Sequence, residues 1–447
     1  MDTHVEIEQA KKDLAAYIAS QQESIHGIQP PDKALEKSYQ EKLKSLGDKR
    51  GAPLFFPYLG SGIGKGPFVK LLDGSVKYDF ITGIGVHFFG HSHPALIDAA
   101  IDAALSDLVM QGNLQQNEDQ AKLIEELVDL SGLDHCFLTT SGAMAVENGL
   151  KAAFQKKYPA SRVLAFQRCF TGRTLATAAI SDKAAYKVGI PQVLQVDYIP
   201  YYDEKEPEAS TKNALARLKE HLTRYPGQHA AMLFELVQGE GGCYAGATDF
   251  FRPLMEIAKN EGIAVFIDEV QTFGRTSEPF AFQHFKLQEF VDIAAIGKMT
   301  QICATLYKKE WNPMPGLLSQ TFTSSTSAIK AARAILRLLQ TEKCFGLEGK
   351  NMKIGRQFSE AMALLHEKYP KKVSGPYGLG AMCGLTPFDG SLEKGNAFVH
   401  TLYQKGVMSF IAGSHPTRIR FLIPSGAATP AHLAEVLTIC EETLQCI

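Results

Sequence analysis

The distribution of apolar residues along the chain predicts three regions. The first 50 or so residues are polar and helix-prone, as expected of a peripheral arm. Between about residues 130 and 310, short apolar runs alternate with segments of helical periodicity. After about residue 335 the pattern loosens into helix, short strands and a final helix from His432. Nearly all-apolar strands separated by helices are typical of a parallel sheet that is covered on both faces.

The central strand candidates are HCFL, RVLAF, AAMLFELV, IAVFIDEV and VDIAAI, and DFFRPLMEIAKNEG is predicted to be an amphipathic helix between two of them. GAMCGL and RIRFLIP fall in a second, α+β lobe. The predicted fold class is therefore α/β, with a large, doubly wound, mainly parallel sheet domain and a smaller α+β domain. The expected boundaries are 1–75 for an N-terminal arm and a segment contributing to the small domain, 76–335 for the large domain, and 336–447 for the C-terminal small domain.

One strand candidate ends in an unusual way. The run IAVFIDEV is apolar until it closes on two carboxylates, Asp268 and Glu269. Burying a charge without a partner is costly. In doubly wound sheets, ligands bind beyond the carboxyl ends of the strands. We therefore expect a positively charged group to meet a carboxylate at this strand end.

Composition and charge exclude several classes of protein. The chain has 447 residues, with 46 Lys and Arg against 48 Asp and Glu, so a net charge of -2 gives no basic field for nucleic acid or for a membrane surface. Its apolar stretches are shorter than the roughly 20 residues of a membrane span. Eight scattered cysteines without a C-x-x-C pair are typical of reduced core thiols. With an N-terminus that does not resemble a secretion signal, they predict a cytoplasmic protein.

Two short motifs suggest other chemistry but do not meet its requirements. GSGIGKG resembles a phosphate-binding loop, but Leu59 and Gly66 occupy the places of the required Gly and Ser or Thr. GHSHP offers two histidines without a cluster of further ligands, so a turn before Pro94 is the better interpretation and no metal site is predicted. The chain also lacks the G-x-S-x-G of esterases and a G-x-G-x-x-G that follows a strand in dehydrogenases.

A lysine follows the next strand candidate. Lys298 comes after VDIAAI and a glycine, so it is expected to leave the sheet at the same edge as Asp268. A lysine shielded from solvent has a lowered pKa and becomes a nucleophile, although a surface lysine is the alternative. Pyridoxal phosphate needs both groups, a lysine for its Schiff base and a carboxylate facing its pyridinium nitrogen.

Candidates exist for the other requirements of that cofactor. TTSGAMAVEN places a Ser-Gly turn at a helix start, where backbone N–H groups bind phosphate. In CFTGRT, Phe170 could stack on the cofactor ring, and Arg173 could bind a substrate carboxylate through two hydrogen bonds.

From about residue 55 onward, the sequence resembles the class III aminotransferases of fold type I, in the ornithine, acetylornithine and lysine 6-aminotransferase branches. The resemblance rests on segments along the whole chain: LLDGSVKYDFITGIGVHFFGHSHP, SGAMAVENGLKAA, ELVQGEGG, FIDEVQTFGRT and TRIRFLIP.

The resemblance implies a role for each matching residue. Lys298 would form the Schiff base, Asp268 would face the pyridinium nitrogen, and Gln271 would lie against the phenolic oxygen of the ring. Glu269 would make structural hydrogen bonds instead. The remaining cofactor contacts would come from Ser141, Gly142 and Ala143 at the phosphate, Phe170 on the ring, and Thr321, which would reach the phosphate of the neighbouring subunit. A homodimer with shared active sites is thereby implied.

The family reaction implied is ping-pong transamination between a small-molecule amino donor and a 2-oxo acid acceptor, here 2-oxoglutarate. Arg173 would bind the α-carboxylate of an ω-amino or diamino acid while Glu240 and Arg420 neutralise each other. Their separation would free Arg420 for the acceptor. A static ion pair between Glu240 and Arg420 is the alternative.

Departures from the family pattern leave the donor open among acetylornithine, ornithine and lysine. Ala143 and Met144 replace the usual Thr-Glu, Thr171 replaces a histidine, and MTQIC follows Lys298 in place of a glycine pair. Two other functions remain as alternatives: a different reaction on the same cofactor, such as an aminomutase or a decarboxylase, and a non-catalytic relative acting as a binding protein.

Overall fold

The structure is a computed structural model that describes residues 3–107 and 109–447. The helices in chain order are α1 (Thr3–Gln22), α2 (Lys33–Arg50), α3 (Thr82–Gly85), α4 (Pro94–Ala104), α5 (Glu118–Ser131), α6 (Gly142–Lys157), α7 (Leu175–Ile180), α8 (Pro207–Arg224), α9 (Thr248–Asn260), α10 (Ala281–His284), α11 (Thr326–Thr341), α12 (Lys350–Lys368), α13 (Leu392–Gln404) and α14 (Pro430–Cys446). Short 3₁₀ turns occupy Ala184–Tyr186, Lys298–Thr300 and Lys309–Trp311.

The strands in chain order are β1 (Gly60–Lys65), β2 (Phe68–Leu71), β3 (Val76–Asp79), β4 (Met110–Gln111), β5 (His135–Thr139), β6 (Arg162–Phe166), β7 (Gln195–Ile199), β8 (His229–Phe234), β9 (Val237–Gln238), β10 (Tyr244–Ala245), β11 (Ala264–Asp268), β12 (Ile293–Ile296), β13 (Cys303–Tyr307), β14 (Ser324–Ser325), β15 (Val373–Leu379), β16 (Met382–Pro387), β17 (Val407–Met408), β18 (Phe410–Ala412) and β19 (Arg418–Leu422).

The chain divides into two compact units. Unit 1 comprises the chain up to Asp102 together with Arg356–Pro376 and Cys383–Ile447. Unit 2 comprises Ala103–Gly355 and Tyr377–Met382.

Unit 2 is built on a seven-stranded sheet in the order β5-β13-β12-β11-β8-β6-β7. The neighbours β12, β11, β8, β6 and β7 are parallel to one another, and β13 runs antiparallel to both β12 and β5. All residues of β8, β11 and β12 are buried, which is why these strands are apolar along their whole length. The expectation of a mainly parallel sheet is confirmed; β7 and the antiparallel β13 were not predicted.

The helices of unit 2 pack through apolar faces or small residues. The predicted amphipathic helix is α9, which buries Phe250, Phe251, Leu254, Met255 and Ala258, spaced as one helical face requires. Helix α6 packs against β8, β12 and β13. At Gly149 of α6, an added Cβ would collide with the Phe266 ring of β11 and lie 3.0 Å from Ile293 of β12. Glycine at this position therefore lets α6 lie close against the sheet.

Unit 1 contains two four-stranded sheets, in the orders β1-β2-β3-β17 and β15-β16-β19-β18. The glycine-rich GSGIGK segment forms strand β1, which pairs antiparallel with β2. This extended pairing explains why the segment does not form a phosphate-binding loop. The GHSHP segment leads into α4, which begins at Pro94, and its His91 lies 2.9 Å from the Asp79 carboxylate. The predicted turn before Pro94 is confirmed.

None of the helices described over 3–107 and 109–447 is both long and apolar enough to cross a membrane. The eight cysteines, all among the described residues, form no disulfide, and six of them are buried.

Candidate active site

Three parallel strands end at one edge of the large sheet in unit 2. In the register of these strands, Asp268 of β11 lies beside Ala295 of β12, and Ile267 lies beside Phe234 of β8. The residues at or just beyond the three strand ends are therefore Glu235, Asp268 and Lys298. The edge thus brings two carboxyl groups and one amine together.

Asp268 is the buried carboxylate that the sequence singled out. Only 5% of its surface is exposed, and its Oδ1 accepts a hydrogen bond of 3.0 Å from the Val270 N–H. Burial raises the pKa of Asp268 to about 6, although the Val270 N–H and the positive charge of Lys298 both act to lower that pKa. The raised pKa means that the protein compensates the charge of this carboxylate only in part. A further cation at this position would stabilise it.

Glu235 is a second buried acid, which the sequence analysis did not single out. Burial and the neighbouring charge of Asp268 together raise the pKa of Glu235 to about 8. Its two carboxyl oxygens accept hydrogen bonds from the N–H groups of Phe170, at 3.1 Å, and Gly239, at 3.0 Å. Glu235 therefore joins the loop that carries Phe170 to the turn that begins at Gly239, after β9. The signal was present in the sequence, because AAMLFELV also places an acid at the end of an apolar run.

Lys298 follows β12 through Gly297. A Cβ at Gly297 would lie 2.8 Å from the Cys303 sulfur, so the chain passes too close to β13 for a larger residue. Lys298 itself has a φ of 54°, in the left-handed region that non-glycine residues rarely occupy. Such a conformation persists when the surrounding structure imposes it, and it is frequent at functional sites. The lysine is half-buried, and its charge acts on Asp268, Glu235 and Cys303.

The start of helix α6 lies against the same strand end. Ser141 caps the helix, and its side chain accepts a hydrogen bond of 3.2 Å from the Met144 N–H. A Cβ on Gly142 would lie 2.8 Å from Val270, two residues after Asp268. N–H groups in the first turn of a helix, such as those of Gly142 and Ala143, have no acceptor within the helix and favour an anion.

The loop that carries Phe170 and Arg173 packs on this helix start. Gly172 has a φ of 135°, and a Cβ there would lie 2.7 Å from the Ala143 Cβ. The Phe170 ring contacts the Tyr186 ring edge to face, with 5.8 Å between the ring centroids. The exposed Arg173 places its guanidinium 3.8 Å from the centroid of the same Tyr186 ring.

Gln271, which follows β11, packs against the turn after β9 that carries Glu240. Gln271 is buried, and its side-chain oxygen occupies the space that a Cβ on Gly239 would need. The Glu240 Oε1 accepts hydrogen bonds from the Tyr186 hydroxyl at 2.8 Å and from the Lys183 Nζ at 3.3 Å. Neither Lys183 nor Tyr186 was predicted, since only the tertiary structure brings them to Glu240.

Two further predicted site residues belong to other elements. Thr321 is exposed on unit 2, with its backbone against Gly112. Arg420 belongs to unit 1, where it is buried on β19 beside Phe410 of β18.

Glu269 makes the structural hydrogen bonds that were expected of it. Its carboxyl group accepts from the Thr272 hydroxyl and, at 3.0 Å, from the Phe282 N–H. Burial raises the pKa of Glu269 to about 7. The two adjacent acids thus have different surroundings, and this prediction is confirmed.

Comparison with known proteins identifies the family. The family described as "Aminotransferase class-III" matches residues 59–444. The chain belongs to the class III aminotransferases. The predicted family and fold class are thereby confirmed, and the protein is a transaminase that depends on pyridoxal phosphate. The alternative of a non-catalytic relative is set aside.

Several relatives support this assignment. The acetylornithine aminotransferase of Methanocaldococcus jannaschii is 32% identical over 375 residues, which cover 81% of this chain and 87% of that protein. The Bacillus subtilis acetylornithine aminotransferase is 29% identical over 391 residues, 85% of this chain and 93% of the relative.

Solved structures share the fold of this class III aminotransferase. A lysine aminotransferase from M. tuberculosis superposes with a TM-score of 0.81 at 24% identity, covering 90% of this chain and 99% of that one. An ornithine aminotransferase from Toxoplasma gondii gives a TM-score of 0.78 at 22% identity, with 93% and 99% covered.

The residues of unit 2 fit the cofactor of this transaminase. Asp268 is a buried, partly compensated carboxylate, which a protonated ring nitrogen would stabilise. Lys298 lies on the adjacent strand end, and the N–H groups at the start of α6 suit a phosphate.

Proposed function

We propose that this class III aminotransferase moves the terminal amino group of an ω-amino or diamino acid to 2-oxoglutarate. Acetylornithine, ornithine and lysine are the candidate donors, since the relatives and structural neighbours bear the names of acetylornithine, ornithine and lysine aminotransferases. The observation that carries the proposal is the pairing of buried Asp268 with Lys298 at neighbouring ends of β11 and β12.

The cofactor is held by residues around this strand edge. Lys298 would bind it covalently through Nζ, and Asp268 would face its ring nitrogen and keep that nitrogen protonated. The N–H groups of Gly142 and Ala143, beside Ser141, would hold its phosphate, and Gln271 would contact its phenolic oxygen. Phe170, on a loop that Glu235 fixes in place, would contact its ring. Thr321 of a second subunit would complete the phosphate contacts.

Proton transfer is assigned to Lys298. When bound, pyridoxal phosphate supplies an electron sink for the carbanion formed at the substrate carbon. The Lys298 Nζ would act as the general base and acid, taking a proton from the substrate carbon and holding it for return. The negative charge of Asp268 would support this role by keeping the ring nitrogen cationic.

Carboxylate recognition is assigned to arginines. Arg173 holds the α-carboxylate of the donor by bidentate hydrogen bonding, which its exposed position on the Phe170 loop supports. Discrimination between donor and acceptor is assigned to Glu240 and Arg420, with Arg420 serving the acceptor carboxylate.

We also propose a cytoplasmic homodimer with shared active sites. The exposed position of Thr321 and of its neighbour Phe322, 55% exposed, supports a subunit contact at this segment. Eight cysteines that form no disulfide support a reducing compartment. Sedimentation of the holoenzyme at the mass of a single chain would contradict the dimer.

A half-reaction screen tests the proposed activity. Holoenzyme is mixed separately with acetylornithine, ornithine, lysine and 4-aminobutyrate, and the absorbance of the bound aldehyde form is followed. We expect at least one ω-amine to bleach this absorbance, and 2-oxoglutarate to restore it with one equivalent of glutamate and no carbon dioxide.

Two results would contradict the proposal. Bleaching by glutamate but by none of the ω-amines would remove the donor class. Release of carbon dioxide without glutamate would indicate a decarboxylase. Lys298→Ala serves as the control and should bleach with none of the donors within the same time.

A further inference from the structure

A compact polar cluster centred on Tyr186 lies beside the proposed carboxylate-binding arginine. The Tyr186 hydroxyl donates to the Glu240 carboxylate at 2.8 Å, and the Lys183 Nζ reaches both that hydroxyl, at 3.1 Å, and the Glu240 Oε1, at 3.3 Å. The three groups thus form a closed triangle of hydrogen bonds. On the ring of the same tyrosine, the Arg173 guanidinium lies 3.8 Å from the centroid.

The charged side chains of the cluster are partly buried, which strengthens their interaction. The side chains of Lys183 and Glu240 are 27% and 18% exposed, so their attraction is screened less than that of a surface pair. Burial lowers the pKa of Lys183, but its hydrogen bond to Tyr186 and the charge of Glu240 outweigh this effect, and the pKa is raised overall. Lys183 is therefore a cation at neutral pH.

Tyr186 connects the Lys183–Glu240 pair to Arg173. Its hydroxyl is held by Glu240 and Lys183, and its face carries the guanidinium through a cation–π contact. Fixing the ring therefore fixes one face of the arginine while its hydrogen-bonding edge stays available to a carboxylate.

We propose that Lys183 is a specificity-determining residue, which neutralises Glu240 from within unit 2 and, with Tyr186, positions Arg173 for a substrate carboxylate. The inference deepens the proposed function and rests on its assignment of Arg173 and Glu240. With Lys183 present, the local charge of Arg173, Lys183 and Glu240 sums to +1. Without Lys183 the sum falls to zero, and a substrate carboxylate that binds Arg173 no longer has a second cation nearby.

The consequence differs between the two substrates. A dicarboxylic 2-oxo acid carries two negative charges, whereas an amino acid donor brings an ammonium group with its carboxylate. Loss of Lys183 therefore weakens binding of the acceptor more than binding of the donor.

A set of holoenzyme variants tests this inference: Lys183→Met, Lys183→Arg, Glu240→Gln and the double variant. We expect Lys183→Met to raise the KM for 2-oxoglutarate about tenfold and the donor KM by a smaller factor, about threefold, because Arg173 also holds the donor carboxylate. Lys183→Arg keeps the charge and should restore most of the acceptor affinity. The double variant should bind the acceptor at least threefold better than Lys183→Met, because the negative charge of Glu240 is removed together with Lys183.

A second readout separates this inference from the proposed activity. Glutarate, an unreactive dicarboxylate, is titrated into each holoenzyme and its Kd measured by calorimetry. We expect Lys183→Met to raise the glutarate Kd about tenfold, even if the wild-type protein uses none of the proposed donors. A glutarate Kd within twofold of wild type, or a double variant as weak as Lys183→Met, would overturn the inference.

Discussion

At the scale of single residues, the site is defined by carboxyl groups that the protein buries without fully compensating their charge. Asp268 and Glu235 both have pKa values raised by burial, to about 6 and about 8. Raised carboxyl pKa values of this kind are frequent at functional sites. The charged form of Asp268 therefore destabilises the cofactor-free protein, and the proposed contact with the cofactor would remove this cost.

Replacing Asp268 with asparagine tests this cost. The folded-state pKa of about 6 exceeds the ordinary value of 3.8, so the folded protein binds this proton more tightly than the unfolded chain does. The destabilisation is absent below about pH 4, grows as the pH rises to 6, and is complete above that. Cofactor-free Asp268→Asn should be more stable than wild type by up to about 3 kcal/mol at pH 7.5, with a gain that shrinks towards pH 4.

Urea denaturation of the cofactor-free proteins at several pH values provides the measurement, with Glu41→Gln at an exposed helical position as the matched control. Transaminase turnover of Asp268→Asn should fall by roughly 100-fold or more. A variant that is no more stable than wild type at pH 7.5 would show that the buried charge of Asp268 does not destabilise the protein.

Some of these residues could be predicted from sequence and others could not. Asp268 and Lys298 follow apolar strands, so the strand pattern alone placed them at one edge of the sheet. Glu235 carried the same signal. Lys183 and Tyr186 carried none, because they lie on a short loop that only the folded chain brings to Glu240.

At the scale of elements, the pattern of apolar residues predicts the strands correctly where they are completely buried. β8, β11 and β12 are buried throughout, and their uninterrupted apolar runs identify them. β7 was missed because its QVDYI sequence mixes polar and apolar residues, and its Asp197 is held by Arg162 at the neighbouring strand. The antiparallel direction of β13 could not be predicted, since an apolar strand carries no mark of its direction.

Helix α6 offers a test of how packing positions the turn that we propose binds phosphate. A methyl group at Gly149 would collide with Phe266 and force the helix away from the sheet. We expect Gly149→Ala to lower the free energy of unfolding by about 1–3 kcal/mol. The variant should also weaken pyridoxal phosphate binding, because the displaced helix begins at Gly142.

Urea midpoints and cofactor titrations measure the two effects. Gly47→Ala in α2 is the matched control, as its added Cβ would meet its nearest neighbour at an ordinary 3.4 Å. Equal stability and equal cofactor affinity for Gly149→Ala and wild type would contradict the account of α6.

At the scale of the whole molecule, unit 1 draws on three separate stretches of chain. Local periodicity predicts elements and their order, but it does not report which distant segments share a core. The strand β17 illustrates this, because its two residues pair in parallel with β3, more than 300 positions earlier in the chain. The predicted boundaries at 75 and 335 stay a prediction, as does the pairing of Glu240 with Arg420.

The most direct test of the central claim is to map the covalent attachment of the cofactor in the intact holoenzyme. The protein is reduced with borohydride, digested and analysed by peptide mass spectrometry. We expect one modified residue, Lys298, and no modification in the Lys298→Ala variant. Attachment at any other lysine, or a wild-type protein that retains no cofactor after reduction, would contradict the assignment of this strand edge as the active site.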